Sequence, residues 1–253
     1  MLARAGPSTE DATKEDEQVT FKYNPAMQRW EKKKGGYKDG RKGNVESLIT
    51  PLAGAAYTVW PVIHEELTQA GLESLPAAEV YRLQQEEGAL LVDCRVDWNF
   101  EQEHAEGAVS LPLFRGVTGN DFYATLKRLA MGSFAMKATE RDPDYQKTAL
   151  ERLDKNQKII MMCSIGGTIK TGTQPWGDPS NPSRKAQKKF DDPERAFGRE
   201  SRSLKACHEL IKAGFKDVAH LEGGLNQWRY DGYPVMRNNR VYRQELPKHK
   251  TRK

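Results

Sequence analysis

The sequence is poor in cysteine, in metal-ligand clusters and in long apolar runs. Cys94, Cys163 and Cys207 are the three cysteines in 253 residues. An odd number without CxxC spacing builds no complete disulfide framework, so a reducing compartment is expected rather than a secreted one. The five histidines are scattered without ligand spacing, so no metal centre is expected, and no cofactor either. Residues 1–9 lack an apolar core and show no secretory signal, although so short a start equally fits what remains after a targeting peptide is removed. The uncharged stretch at 47–63 is broken by Pro51 and Pro61 and falls short of the roughly 20 residues that span a bilayer. Two readings stand for it: a helix or turn packed on a domain, or a contact with a membrane surface or partner.

Polar character is abundant instead. Apolar residues make up 37% and charged residues 30% of the chain, with a mean hydropathy of −0.79. That is more polar than a compact domain requires, so tails and exposed inserts are expected. The net charge of +5 is concentrated at 32–42, in an insert around Arg184, Lys185, Lys188 and Lys189, and from Arg237 onward. Such a distribution describes basic extensions rather than a nucleic-acid-reading face, and no specific nucleic-acid recognition is expected.

The chain is expected to divide into an N-terminal extension (1–71), a folded domain (72–236) carrying a loop insert (168–198), and a basic C-terminal tail (237–253). The extension begins acidic and then places Phe21, Tyr23 and Trp30 among lysines and glycines, which reads as an extended arm. In the domain, Ser74-Leu75-Pro76 predicts a cap and first turn for a helix over 77–85. Ala89-Leu90-Leu91-Val92-Asp93 is a continuous apolar run, the pattern of a strand covered on both faces. A short strand is predicted at 107–112, and helices at 121–137 and 143–155, the second with Leu150 and Leu153 turned inward. Val218-Ala219-His220-Leu221 is expected to be the last strand, and a last helix starts at Gly223-Gly224. Alternation of strands and helices predicts an α/β fold with a central parallel sheet flanked by helices.

One stretch carries chemistry. Lys158-Ile159-Ile160-Met161-Met162-Cys163 reads as a buried strand ending on a thiol, and Ser164-Ile165-Gly166-Gly167-Thr168 turns away from it. Far downstream, Gly198-Arg199-Glu200-Ser201-Arg202-Ser203-Leu204 opens a helix with Leu204, Cys207, Leu210 and Ile211 on one face. A thiol delivered to a loop of backbone N–H groups beside a helix N-terminus is suited to stabilising a sulfur anion. Asp93 and Arg95, at the carboxyl end of their strand, read as a hydrogen-bonded pair that braces this site. Cys94 and Cys207 read as small core residues rather than resolving thiols, and His104 and His220 as hydrogen-bonded structural histidines.

Several separated blocks together resemble the rhodanese family: Leu-Val-Asp93-Cys-Arg95; Phe100, His104 and Gly107-Ala108 before Leu111-Pro112; Cys163; Arg202-Ser203; Gly214-Phe215, Val218, and Leu221-Glu222-Gly223-Gly224 with Trp228. The interrupted loop, Cys-Ser-x-Gly-Gly-Thr and then Gly-x-x-Ser-Arg-Ser, further resembles a plant and algal chloroplast subgroup of rhodanese-like proteins. The resemblance implies a single rhodanese-like domain, a chloroplast location and association with thylakoids. It also implies a sulfurtransferase in which Cys163 takes sulfane sulfur from a donor such as thiosulfate, becomes a persulfide, and passes the sulfur to a thiol. On that basis Cys163 is the catalytic residue, and Arg202, Ser164, Gly166, Gly167, Thr168 and Ser203 are the candidate substrate-binding set.

Residues 164–201 stand where ordinary members carry a loop of about six residues. Loop closure tolerates the expansion, since going from about 6 to about 40 residues costs only about 1.7 kcal/mol. The anion cradle does not tolerate it unless the insert packs back, for which Trp176, Phe190 and Phe197 are the available anchors. The second functional reading is therefore a non-catalytic binding or scaffold module. It would engage a protein or thylakoid-membrane surface through the arm, the insert and the basic tail. Arsenate reduction and phosphatase chemistry need a compact loop between cysteine and arginine that this chain lacks.

Overall fold

The computed structural model describes residues 58, 60–133, 137–169, 200–238 and 240–242, together with the backbone of 20–24 and 29–33. In the N-terminal region, β1 (Thr20–Asn24) and β2 (Arg29–Lys33) pair antiparallel with Tyr23 opposite Trp30. The expected arm thus contains a hairpin. The insert's Trp176, Phe190, Phe197 and basic cluster, and the tail from residue 243, lie outside the described residues.

The domain runs α1 (Trp60–Gln69), β3 (Glu73–Leu75), α2 (Ala77–Glu86), β4 (Leu90–Asp93), α3 (Asp97–Gln102), β5 (His104–Ala105), β6 (Val109–Ser110) and β7 (Phe114–Gly116). It continues with α4 (Phe122–Gly132), β8 (Thr139–Arg141), α5 (Tyr145–Arg152), β9 (Ile159–Met162), α6 (Arg202–Lys212), β10 (Val218–Leu221), α7 (Gly224–Tyr230), β11 (Val235–Arg237) and β12 (Arg240–Tyr242). Five strands form a parallel sheet in the order β3-β10-β9-β4-β6.

Strand alternation divides the core into two layers. Val92, Cys94, Ile159, Met161 and Cys163 face a cluster built with Trp60, Ile63 and Leu67 of α1, Tyr145 and Ala149 of α5, and Leu204, Cys207 and Leu210 of α6. Leu91, Ile160 and Met162 face the opposite cluster with Val80 and Leu83 of α2 and Leu225 and Trp228 of α7. All four β9 residues are buried, which is why that run carries no polar alternation.

Several expectations are corrected. α1 lies ahead of the expected domain start at Leu72 and is packed into the core, with Trp60 fully buried, so the stretch around 60–63 is core material. Ser74 is no helix cap. It belongs to β3 and meets His220 Nε2 through its hydroxyl at 2.7 Å, while Pro76 takes the N-cap position. The predicted 121–137 helix ends at Gly132. The predicted 143–155 helix runs only from Tyr145 to Arg152. Tyr145 and Ala149 are its buried residues, Leu153 just past its end packs partly buried on the same cluster as expected, and Leu150 is 46% exposed. The burial of the Tyr145 ring sets that phase. β10 is the last strand of the parallel sheet but not of the chain, since β11 follows and pairs antiparallel with β5 on one side and with β12 on the other. The β7–β8 hairpin, which brackets α4, has no counterpart in the sequence reading.

Candidate functional site

β9 ends at Met162, and the chain leaves the sheet at Cys163. The next turn uses Gly166 and Gly167 in succession at φ +82° and +73°, a left-handed conformation that side-chain-bearing residues rarely adopt. The turn is fastened to the start of α7. Leu225 N–H donates to the Cys163 carbonyl at 2.8 Å and Asn226 N–H to the Ser164 carbonyl at 3.1 Å. The Gly223-Gly224 pair makes this approach possible, because a Cβ on Gly224 would lie 2.2 Å from the Cys163 oxygen.

The sulfur is held from both sides of the interruption. Gly166 N–H points to Cys163 Sγ at 3.3 Å, and the Ser203 hydroxyl reaches it at 3.4 Å from 40 residues away in sequence. Ser203 Oγ also lies 3.1 Å from the Gly166 carbonyl and 3.1 Å from Ser201 Oγ. A hydroxyl has one hydrogen to give, so Ser203 can serve the sulfur or the carbonyl at any moment, but not both. Ser201 caps α6 by accepting from Leu204 N–H at 3.2 Å. The α6 N-terminus therefore begins beside the sulfur, with its partial positive charge placed to favour an anion there. Cys163 itself is only 4% exposed.

The remaining candidates fall in different places. Gly167 and Thr168 are buried behind the turn and Ser164 is half-buried, while Ile165 is exposed. Arg202 is also exposed. Its guanidinium lies 5.2 Å over the Phe114 ring rather than on the sulfur. Next to that ring a cleft opens between Ile63, Leu113, Phe114, Arg141, Lys205 and Glu209, with Arg141 paired to Glu209 at 2.5 Å.

Asp93 and Arg95 form the expected pair. Arg95 Nε and Nη2 reach Asp93 Oδ2 at 2.9 and 2.7 Å, and Arg95 N–H donates to Oδ1 at 3.0 Å. Arg95 also donates to the Glu103 carbonyl, and the Glu103 carboxylate binds Arg237 at 2.8 Å and Arg229 at 3.2 Å. This network ties the carboxyl end of β4 to α7 and β11. His104 stacks on Phe100 with ring centroids 3.9 Å apart, and its Nδ1 meets the Phe100 carbonyl at 2.8 Å.

Cys94 and Cys207 are fully buried, and burial pushes both thiols well above the usual cysteine range. The sequence reading missed the docking of the thiol loop on α7 and the Phe114 platform under Arg202. The paired glycines at 223–224 were the available signal for the first, and the second has none.

Comparison with known proteins gives consistent matches. A sequence profile of the rhodanese-like domain matches residues 76–177. Rhodanese-like domain-containing protein 14, chloroplastic, of Arabidopsis thaliana is 31% identical over 186 residues, covering 73% of this chain and 74% of that protein. Thiosulfate sulfurtransferase 16, chloroplastic, of the same plant is 23% identical over 149 residues, covering 58% of this chain and 80% of its own length. Among solved structures, the rhodanese-like domain of the Alr3790 protein from Anabaena is 18% identical with a TM-score of 0.36, covering 66% of this chain and 80% of that one.

Proposed function

The chain belongs to the rhodanese-like domain family, and we propose that it is a sulfurtransferase carrying sulfane sulfur as a persulfide on Cys163. The observation that carries this reading is the meeting of Gly166 N–H and the Ser203 hydroxyl at Cys163 Sγ, at 3.3 and 3.4 Å. Two donors brought to one sulfur from opposite sides of a long insert reassemble the part of the anion cradle that sequence separates.

With thiosulfate as donor, the Cys163 thiolate attacks the sulfane sulfur. The donor S–S bond breaks, sulfite leaves with the electron pair, and Cys163 keeps the sulfur as a persulfide. An acceptor thiolate then takes the outer sulfur and returns Cys163 to thiolate. In this scheme Gly166, Ser203 and the α6 N-terminus stabilise the anionic sulfur. Ser164, Gly167 and Thr168 shape the loop, and Asp93 with Arg95 braces it. Arg202 receives the anionic end of the donor by leaving the Phe114 ring. The chloroplastic relatives support a chloroplast location. Cyanide-dependent release of thiocyanate from thiosulfate tests the activity: turnover in the folded chain and none in Cys163→Ser is expected, and absence of turnover in both contradicts it.

A second reading, a binding module of a thylakoid-associated complex, is favoured by two observations. Arg202 rests on Phe114 rather than on the sulfur. α4 also presents Phe122 (75% exposed), Tyr123 (59%) and Leu129 (72%) to solvent, an apolar face of the kind that proteins bury against partners. Affinity purification from the native source tests it. Co-purification of a stoichiometric partner supports it, and recovery as a free monomer argues against it.

A further inference from the structure

Among the described residues, Cys94 and Cys207 are buried thiols in the same core cluster as Cys163 that the scheme above leaves unused, and Cys94 is the one on the neighbouring strand. β4 and β9 are adjacent and parallel, in a register that pairs Val92 with Met161 and Asp93 with Met162. The next residue on each strand is a cysteine, Cys94 on one and Cys163 on the other. The ladder extends to them, since Cys94 N–H donates to the Met162 carbonyl at 2.9 Å. Both side chains fall on the same face, because Val92, Met161, Cys94 and Cys163 share one core cluster while Met162 belongs to the other.

Neighbouring strands lie about 4.8 Å apart, inside the roughly 4.4–6.8 Å Cα separation that a disulfide spans. Both residues also lie one step past the last paired position, where the chains begin to leave the sheet. The third cysteine is placed differently. Cys207 sits on α6, and its thiol donates to the Ala219 carbonyl at 3.5 Å.

We propose that Cys94 is a resolving thiol for Cys163, closing a Cys94–Cys163 disulfide across β4 and β9 when Cys163 is oxidised by a hydroperoxide. The Cys163 thiolate attacks one peroxide oxygen, and the O–O bond breaks. The sulfur gives up two electrons and becomes a sulfenic acid, and the peroxide leaves as alcohol or water. Cys94 sulfur then attacks Cys163 sulfur. The new S–S bond forms, the S–O bond breaks, and the Cys94 proton departs with the hydroxyl as water. Burial holds the Cys94 thiol protonated in the resting protein, and the nearby Cys163 charge adds to that effect. The disulfide protects Cys163 from further, irreversible oxidation and silences it until a reductant reopens the bond. The same displacement acting on a Cys163 persulfide would expel hydrogen sulfide. That extension rests on the sulfurtransferase reading, whereas the hydroperoxide reaction does not.

The test is peptide mapping of the full chain, reduced and then exposed to hydrogen peroxide, without reductant in the digest. The expected result is a cross-linked peptide pair containing Cys94 and Cys163, with loss of two hydrogens reversed by dithiothreitol. Cys94→Ser and Cys94→Ala should instead yield Cys163 as sulfinic or sulfonic acid. The wild-type map stands without the variants should neither fold. Recovery of oxyacid at Cys163 with Cys94 still free, or of both as free thiols after excess diamide, overturns the proposal. A cross-link with no thiocyanate turnover keeps this proposal and removes the persulfide reading; turnover without a cross-link does the reverse.

Discussion

Gly166 and Gly224 approach so closely that neither has room for a side chain. A Cβ on Gly166 would lie 2.6 Å from Gly224 N, and a Cβ on Gly224 would lie 2.9 Å from Gly166 N. The contact joins the turn after the thiol to the first turn of α7, so the position of the Gly166 N–H under the sulfur depends on a residue 58 positions downstream.

Gly224→Ala is therefore expected to destabilise the domain by about 2 kcal/mol or more, from backbone overlap added to left-handed strain. It should also make Cys163 react faster with a thiol reagent as the loop lifts from α7. Gly71→Ala is the control. Gly71 has φ +68° but nothing within 4 Å of the added atom, so conformational strain of about 1 kcal/mol is all it should cost. Urea unfolding and thiol-labelling rates check both. Equal costs at the two positions would show that the contact between the loops contributes nothing.

Ser203→Ala removes a donor from the sulfur while the Ser201 cap stays in place. A hydrogen bond to a charged group contributes about 1.5 kcal/mol, so about a tenfold slower sulfur uptake from thiosulfate is expected, with unfolding little changed. Ser201→Ala should do the opposite, costing about 1 kcal/mol of stability through the lost cap. Thiocyanate release and urea unfolding on the two variants separate the roles. A slow Ser203→Ala that is also unfolded would assign that serine to structure alone.

The seam between α1 and α6 is electrostatic at its edge, where Glu66 meets His208 and Lys212. Burial acts to raise the Glu66 pKa, but the His208 hydrogen bond and the charges of His208 and Lys212 outweigh it and hold the carboxyl below its ordinary value of 4.5. Glu209 is lowered likewise, with burial outweighed by His208, Arg141 and Gln146. A carboxyl lowered by folding stabilises the native state fully above its unfolded pKa, and that contribution disappears as pH falls through the folded value. Glu66→Gln should therefore lower Tm at neutral pH, and its deficit against wild type should shrink as pH falls below the ordinary carboxyl value of 4.5. Thermal melts across that range check the sign. A deficit that grows on acidification contradicts it.

Much of the fold could be read from residue pattern, because the information was local. The apolar run into Cys163, the inward face of α6, and the Asp93–Arg95 pair two residues apart each depend on neighbours in sequence. The features that escaped depend on distant residues. Leu150 reads as inward on helical period, yet the buried ring of Tyr145 rotates α5 so that Ala149 faces the core instead. Phe114–Gly116 and Thr139–Arg141 form a hairpin across α4 with no local signal in either. Trp60–Gln69 precedes the expected domain start at Leu72, and its packing against α6 is what draws it into the core. At the site itself, the thiol and its loop were legible. The placement of Arg202 on Phe114 and the register that sets Cys94 beside Cys163 were not, since both are relations across the sheet.

The most direct measurement is the mass of the Cys163 peptide after the reduced, folded chain is incubated with thiosulfate. A persulfide-carrying sulfurtransferase yields that peptide with one added sulfur, sulfite released in equal amount, and neither product in Cys163→Ser. An unmodified peptide with no sulfite released, from a chain that unfolds cooperatively in urea, would contradict sulfur transfer and leave the binding reading in its place.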